Sequence, residues 1–144
     1  MKGEGDMREI DEIIIHCSDS SFGNAALIDS WHREKGWDCI GYHYVILNGF
    51  VDLQHYDEMM DGHTDSGRPI WKEGAHCLGK NATSIGLCLI GMGGVFTSSQ
   101  LQALKRAIGN LKKQYGDINV SFHSDYNKDK PLCPGITARD LLNV

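Results

Sequence analysis

Histidine and cysteine residues near the two ends of the chain are the side chains best suited to chemistry. His123 precedes Cys133 by ten residues, and two lysines, Lys128 and Lys130, lie between them. Imidazole and thiolate groups bind zinc well, and a catalytic zinc usually takes three protein ligands and leaves one position open. His16, which follows a run of three isoleucines near the start of the chain, is the candidate for the third ligand.

Both histidines lie where a predicted strand ends. Residues 10–17 contain a short β-branched run bounded by polar residues, which is typical of a buried strand, and His16 falls near its carboxyl end. Residues 118–122 form a further predicted strand that delivers His123. Open α/β sheets commonly present their chemistry at the carboxyl ends of strands. This arrangement therefore favours a site at one edge of a sheet.

The rest of the chain predicts alternating strands and helices in one domain. Asn24 and Thr97 are typical helix-capping residues, and Asn48-Gly49 is a strong two-residue hairpin signal. We therefore expect a single α/β domain over residues 10–144, with a central mixed β-sheet flanked by helices, the zinc site at strand ends, and residues 1–9 as a disordered or cloning-derived lead-in. The other predicted elements are helices over 24–35, 97–115 and 137–142, strands over 41–47, 50–53 and 84–91, and a long loop over 54–75.

The length, charge and cysteine usage of the chain limit the classes of protein to which it can belong. The 144 residues suit one domain, and the net charge of −5 gives no overall attraction to nucleic acid. The sequence shows neither a secretion signal nor an apolar run of the roughly 18 residues that cross a bilayer. We therefore expect no nucleic-acid partner, no membrane insertion and synthesis in the cytoplasm. The five cysteines show no CxxC pairing, so most are expected to be reduced there.

Several short segments together resemble one known family, the zinc-dependent N-acetylmuramoyl-L-alanine amidases of the type-2 group. This family includes the amidase lysozymes of tailed phages and the peptidoglycan recognition proteins. The matching segments occur in the family's order and cover roughly residues 10 to 142. They are Ile14-Ile15-His16-Cys17-Ser18, Trp31-His32-Arg33-Glu34-Lys35-Gly36-Trp37, Gly41-Tyr42-His43-Tyr44-Val45-Ile46, Gly74-Ala75-His76-Cys77-Leu78-Gly79-Lys80-Asn81, Ser84-Ile85-Gly86-Leu87-Cys88-Leu89-Ile90-Gly91, and His123 with Cys133-Pro134-Gly135.

The resemblance implies the metal and most of the site residues. It makes His16, His123 and Cys133 the zinc ligands, and zinc would polarise the scissile carbonyl and lower the pKa of its water to about 7. Tyr42 matches the tyrosine of the family's Gly-Tyr-His segment and is expected to donate to the oxyanion or to orient water. Without the resemblance, a core aromatic is the simpler interpretation of Tyr42. His76 matches the histidine beside the family's active-site groove, so it is expected to bind substrate or assist the oxyanion.

One catalytic position departs from the family pattern. The phage members carry a lysine two residues before the cysteine ligand, where this chain has Pro131. Lys130, one residue earlier, is the expected substitute cation, with Lys128 as the second choice. The alternative for both lysines is a solvated loop charge.

Two functions from different classes fit these residues. The first is hydrolysis of the amide between N-acetylmuramic acid and L-alanine, with peptidoglycan or a muropeptide as the partner. The second is a non-catalytic peptidoglycan-binding module, because recognition-protein relatives lose catalysis when the cysteine ligand is replaced; the presence of Cys133 favours the enzyme. The phage resemblance implies an endolysin, expected to be a monomer, that reaches the cell wall through a holin-type or other release route. The polymerase inhibition found in some phage amidases has no independent support in this sequence.

Overall fold

The chain forms five strands and three helices within the residues that the computed structural model describes, which are 8–129, 133–136, 140 and 141. In chain order these elements are β1 (Glu12–Cys17), α1 (Ala25–Glu34), β2 (Tyr44–Phe50), β3 (Tyr56–Ser66), β4 (Ser84–Leu89), α2 (Ser98–Tyr115), β5 (Asn119–Phe122) and α3 (His123–Tyr126).

The five strands form one mixed sheet in the order β3-β2-β4-β1-β5. Strand β1 runs parallel to both β4 and β5, β2 runs parallel to β4, and β3 pairs antiparallel with β2 at one edge. Parallel strands end at the same edge of a sheet. The carboxyl ends of β1, β4 and β5 are therefore adjacent, which confirms the predicted mixed sheet and the placement of both histidines at strand ends.

The two faces of the sheet are covered by different helices. Strand residues such as Ile13, Ile15 and Leu87 pack in one core with Leu104 of α2. The alternate positions belong to a second, smaller core that contains Ile28 of α1. Successive side chains of a strand point to opposite faces, so the continuous apolar runs of the inner strands reflect burial on both sides. The fold is a three-layer α/β/α domain.

Both predicted helix caps are confirmed. The Oδ1 atom of Asn24 accepts a hydrogen bond from the N–H of Leu27 at 2.8 Å, and α1 begins at the next residue. Thr97 and Gln100 form a reciprocal capping box at the start of α2, with both bonds 3.0 Å long. These side chains satisfy N–H groups that have no partner within the helix.

The predicted hairpin turn at Asn48-Gly49 is wrong, because β2 continues through both residues to Phe50. The pairing of β2 with β3 shifts register at this point, and Gly49 has a φ of +91°. Asn-Gly pairs favour positive φ, which suits a β-bulge as well as a tight turn. The chain turns further on, where Oδ1 of Asp52 accepts hydrogen bonds from the N–H groups of Gln54 and His55.

The long loop predicted over residues 54–75 is also wrong in its first half. Residues 56–66 form β3, an edge strand in which most side chains are exposed. An edge strand with little burial on either face lacks the apolar alternation by which strands are identified in a sequence. The predicted last helix lies partly outside the described residues, although residues 140 and 141 are helical. None of the helices in the described part of the chain is long and apolar enough to cross a membrane.

Candidate metal centre and active site

His16 is fixed by the register of the central strand β1. It lies opposite Cys88 of β4, and its side chain is fully buried. A slip of one residue would turn His16 to the opposite face of the sheet. Burial, together with the nearby His76 and His123, lowers the pKa of His16 well below its ordinary value. The imidazole is therefore neutral and able to bind a cation.

His123 and Cys133 reach the same point from the other end of the chain. His123 follows β5 directly as the first residue of α3, and its ring centroid lies 4.4 Å from that of His16. The carbonyl of Cys133 accepts a hydrogen bond from the N–H of Ser124 at 2.9 Å. The Sγ of Cys133 accepts another from the N–H of Cys17 at 3.3 Å. Backbone groups of β1 and α3 thus hold the thiol beside both histidines.

These three residues form a group that could hold a metal ion. One ligand atom from each of His16, His123 and Cys133 lies within 4.8 Å of the other two. The Nδ1 atom of His16 is buried and has no hydrogen-bond partner among the described residues, which is a costly state for a polar atom. A cation at this point would satisfy it. Two imidazoles and a thiolate suit zinc, so the residues fit the metal that the sequence implies.

His76 lies behind His16. Its Nδ1 is 2.8 Å from Nε2 of His16, and its Nε2 is 3.3 Å from Oγ of Ser84. The hydroxyl of Ser84 in turn donates to the carbonyl of Lys80 at 2.7 Å. Burial lowers the pKa of His76 to about 3, so this ring is neutral as well. If Nδ1 of His16 faces a cation, one choice of tautomers satisfies both rings. The Nε2–H group of His16 then donates to Nδ1 of His76, and the Nε2–H group of His76 donates to Oγ of Ser84.

Two glycines make room for the His76 ring against the sheet. A Cβ atom on Gly86 of β4 would lie 2.7 Å from both Cγ and Cδ2 of His76, and one on Gly74 would lie 2.6 Å from Cδ2. The backbone of this segment is fixed by Asn81, whose Oδ1 accepts hydrogen bonds from the N–H groups of His76 and Cys77 at 2.9 Å each. His76 is therefore held at both its backbone and its ring.

We call His16, His123 and Cys133 the metal group. On one side it opens into a cavity of about 710 Å³, a size typical of small-molecule sites. His123 and Cys133 lie in its wall, whereas His76 is not among the described lining residues. The role that the sequence predicts for His76 towards the substrate therefore stays a prediction. The described residues that line the cavity are Cys17, Ser18, Asp19, Ile28, Trp31, His32, Lys35, Tyr42, Gly93, His123, Asp129 and Cys133.

Tyr42 lies beside the metal group and in the cavity wall. Its ring centroid is 5.1 Å from that of His16. Burial raises the pKa of Tyr42 well above its ordinary value, and the neighbouring thiols of Cys88, Cys133 and Cys17 raise it further. The phenol therefore keeps its proton at neutral pH and is available as a hydrogen-bond donor.

Lys130 lies outside the described residues, so its role as the substitute cation stays a prediction. Lys128 is described and is exposed at the surface, while Asp129 lies between the two lysines in the sequence and lines the cavity.

The sequence assigned no role to Ser84 or Gly86, although both contribute to the surroundings of His76. They alternate with apolar residues along β4 and share a sheet face with Cys88 and His16. The signal that could have revealed them is the period-two series of small residues in Ser84-Ile85-Gly86-Leu87-Cys88, within a strand that is otherwise large and apolar. Small side chains on one face indicate that something packs closely there.

The fold and the site define a class of protein. A three-layer α/β domain carries a His/His/Cys group at the carboxyl ends of parallel strands, and this group opens into a cavity. A metal held by these three residues would keep a coordination position for water, which is the arrangement of a metal-dependent hydrolase.

Comparison with known proteins then gives the family. The chain belongs to the N-acetylmuramoyl-L-alanine amidase family, whose model matches residues 6–136. The endolysin of Klebsiella phage KP32 is 32% identical in an alignment of 130 residues that covers 82% of this chain and 77% of the phage protein. The structure of bumblebee PGRP-SA is 27% identical, with a TM-score of 0.71 over 93% of this chain and 80% of that chain.

The structure of the amidase LysC from Clostridium intestinale URNW has a TM-score of 0.79 and covers 99% of this chain and 89% of that chain. At 24% identity this likeness shows the shared fold. The family and the phage relatives confirm the predicted enzyme, which hydrolyses the amide bond between N-acetylmuramic acid and L-alanine in peptidoglycan.

Proposed function

We propose that this amidase is a zinc enzyme whose metal ligands are His16, His123 and Cys133. Two observations at His16 carry the proposal: the residue belongs to the 4.8 Å ligand group, and its buried Nδ1 atom has no hydrogen-bond partner among the described residues. Zinc bound there would polarise the carbonyl of the scissile amide and activate a water molecule. The thiolate of Cys133 offsets part of the metal charge, so the developing oxyanion needs a further donor.

Tyr42 is that donor in this proposal. It lies in the cavity wall, 5.1 Å from His16 between ring centroids, and its raised pKa keeps the hydroxyl proton in place. A neutral phenol in the wall of the cavity can donate a hydrogen bond to the oxyanion or orient the attacking water. The catalytic cation is assigned to Lys130, as the sequence predicted.

His76 acts through His16 in this proposal and not on the substrate. The 2.8 Å contact with Nε2 of His16 selects the tautomer in which Nδ1 faces the metal. The contact of His76 with Ser84 completes the chain of donors and acceptors. We propose this positioning role in place of the substrate-binding or oxyanion-assisting role that the sequence suggested for His76.

The substrate of this site is peptidoglycan or a muropeptide derived from it, and the biological role is lysis of the endolysin type. The phage endolysins among the relatives support this role. In this proposal the protein is made in the cytoplasm, acts as a monomer, and reaches the wall through a holin-type release route.

A serine substitution of the cysteine ligand tests the proposal. Wild-type protein should bind about one zinc and release peptides with free L-alanine amino termini from purified peptidoglycan, and a chelator should stop this release. Cys133→Ser should lose both zinc and activity, because an alcohol is a far weaker zinc ligand than a thiolate. Cys39→Ser is the matched control, since the half-buried Cys39 thiol lies outside the ligand group and the cavity wall.

Two results would contradict the proposal. One is wild-type hydrolysis by Cys133→Ser or by chelator-treated protein, which would remove zinc from the reaction. The other is a zinc-loaded protein that binds muropeptide without cleaving it, which would favour the recognition-module alternative.

A further inference from the structure

Glu12 is a buried carboxylate on the same sheet face as His16. It begins β1, is only 5% exposed, and lies four residues before His16. Alternate side chains of a strand share one face, so both residues belong to the side of the sheet that carries the metal group. Burying a carboxylate is costly unless its oxygens are well hydrogen bonded. The hydrogen-bond partners of Glu12 therefore indicate the role of this buried carboxylate.

Two hydroxyl groups donate to the same oxygen of this carboxylate. Ser121 on β5 and Tyr126 at the end of α3 both donate to Oε2 of Glu12. The ammonium group of Lys80 lies 4.8 Å from the centroid of the Tyr126 ring, so this ring is also held through its face. We call Glu12, Ser121 and Tyr126 the Glu12 clamp. It joins β1, β5 and α3.

Helix α3, which contains Tyr126 of the clamp, also carries the proposed ligand His123 and is hydrogen bonded to the proposed ligand Cys133. The four residues of α3 run from His123 to Tyr126, and a helix of one turn does not hold itself in place. The N–H of Ser124 in α3 donates to the carbonyl of Cys133 at 2.9 Å. The orientation of α3 therefore sets the positions of both His123 and Cys133 relative to β1.

We propose that the Glu12 clamp is a positioning group for the metal site, and this inference rests on the proposed zinc function. By holding Tyr126 at one end of α3, the clamp fixes His123 at the other end at the distance from His16 that a shared metal requires. Groups that orient metal ligands typically contribute 10- to 100-fold to metal affinity. A residue that served stability alone would leave that affinity unchanged.

A matched pair of tyrosine substitutions tests the clamp. Tyr126→Phe removes the hydroxyl that binds Glu12 and keeps the ring beneath Lys80. Tyr56→Phe removes a comparable hydroxyl, which donates to Asp61 at 2.7 Å in the β2–β3 hairpin. Zinc affinity is measured by competition with a chromogenic chelator, and unfolding of the zinc-free proteins is followed separately. Tyr126→Phe should bind zinc about tenfold more weakly than wild type, whereas Tyr56→Phe should match it.

Two further measurements separate positioning from general stability. The absorption bands of the cobalt-substituted protein report ligand geometry, and they should shift in Tyr126→Phe and not in Tyr56→Phe. Glu12→Gln keeps an acceptor oxygen and should lose about threefold or less in zinc affinity, whereas Glu12→Leu should lose as much as Tyr126→Phe or more.

The experiments test the clamp proposal separately from the zinc-site proposal. If wild-type protein binds zinc and Tyr126→Phe has the wild-type affinity and cobalt spectrum, the clamp is wrong and the zinc site stands. If only the stability of the zinc-free protein falls, Glu12 has a structural role and the inference is again overturned. Failure of wild-type protein to bind zinc would instead overturn the proposed function itself.

Discussion

Replacing Gly86 by alanine would test whether His76 orients His16. Gly86 lies in the middle of β4 and is buried. Its backbone does not have the positive φ that disfavours other residues, so alanine is compatible with the strand itself. The added methyl group would however lie 2.7 Å from Cγ and Cδ2 of His76 and 3.0 Å from its Nδ1. The substitution therefore acts on the His76 ring and leaves the proposed ligands untouched.

The expected size of the effect follows from these distances. Ordinary carbon contacts are about 3.5 Å or longer, so the ring must move by roughly 1 Å. Such a shift away from the sheet would stretch the 2.8 Å contact with Nε2 of His16 to the limit of a hydrogen bond. Loss of a partner that orients a ligand weakens metal binding by about 10- to 100-fold, or roughly 1.4–2.7 kcal/mol. Overpacking should also cost about 1–3 kcal/mol of the free energy of unfolding.

Zinc affinity, measured by chelator competition, and the free energy of unfolding of the zinc-free protein are the two readouts. Gly109→Ala in α2 is the matched control, because a Cβ there meets nothing within 4 Å. This variant should keep the wild-type zinc affinity and gain up to about 1 kcal/mol of stability, since alanine favours helix. Wild-type zinc affinity in Gly86→Ala, with or without lower stability, would refute the role assigned to His76.

The remaining predictions concern the catalytic groups and the cysteine pair. Tyr42→Phe should lower kcat by about 100-fold and keep its zinc content, as expected on removal of one oxyanion donor; an unchanged kcat would exclude that role. Lys130→Ala should slow hydrolysis and Lys128→Ala should not, and equal near-wild-type rates for both would exclude the assignment. In zinc-free protein the Sγ atoms of Cys17 and Cys133, 3.4 Å apart, should form a disulfide when treated with diamide. Bound zinc should prevent that crosslink, and equal crosslinking with zinc present would argue against Cys133 as a ligand.

The metal group could be predicted from the sequence because two of its residues depend on local signals. A short β-branched run followed by His16, and a second strand followed by His123, place both rings at strand ends without knowledge of the tertiary fold. Cys133 does not follow a predicted strand, so its spacing from His123 only suggested a ligand pair with His16 as a candidate third ligand, and the resemblance made the three residues a ligand set. Its position depends on the long-range bonds to Ser124 and Cys17, which the sequence does not display.

The errors at the other edge of the sheet have a common physical cause. Asn48-Gly49 indicates a point of positive φ, but such a point serves a bulge as well as a turn, and the choice depends on which strand pairs beyond it. That partner, β3, is an edge strand with polar residues on both faces, so its pattern resembles a loop. Because the sequence predicts a loop in place of β3, it offers no partner for the second half of β2 and predicts the hairpin too early.

The two hydrogen-bonded networks behind the metal group meet at one residue. The chain from His16 through His76 and Ser84 ends at the carbonyl of Lys80, and the ammonium group of Lys80 covers the ring of Tyr126 in the Glu12 clamp. One short segment before β4 therefore lies behind both proposed histidine ligands, which come from opposite ends of the chain. Partners of metal ligands act through geometry, so a shift of this segment should disturb both ligands together. We therefore expect the affinity of the proposed site for zinc to depend on this segment as much as on the proposed ligands.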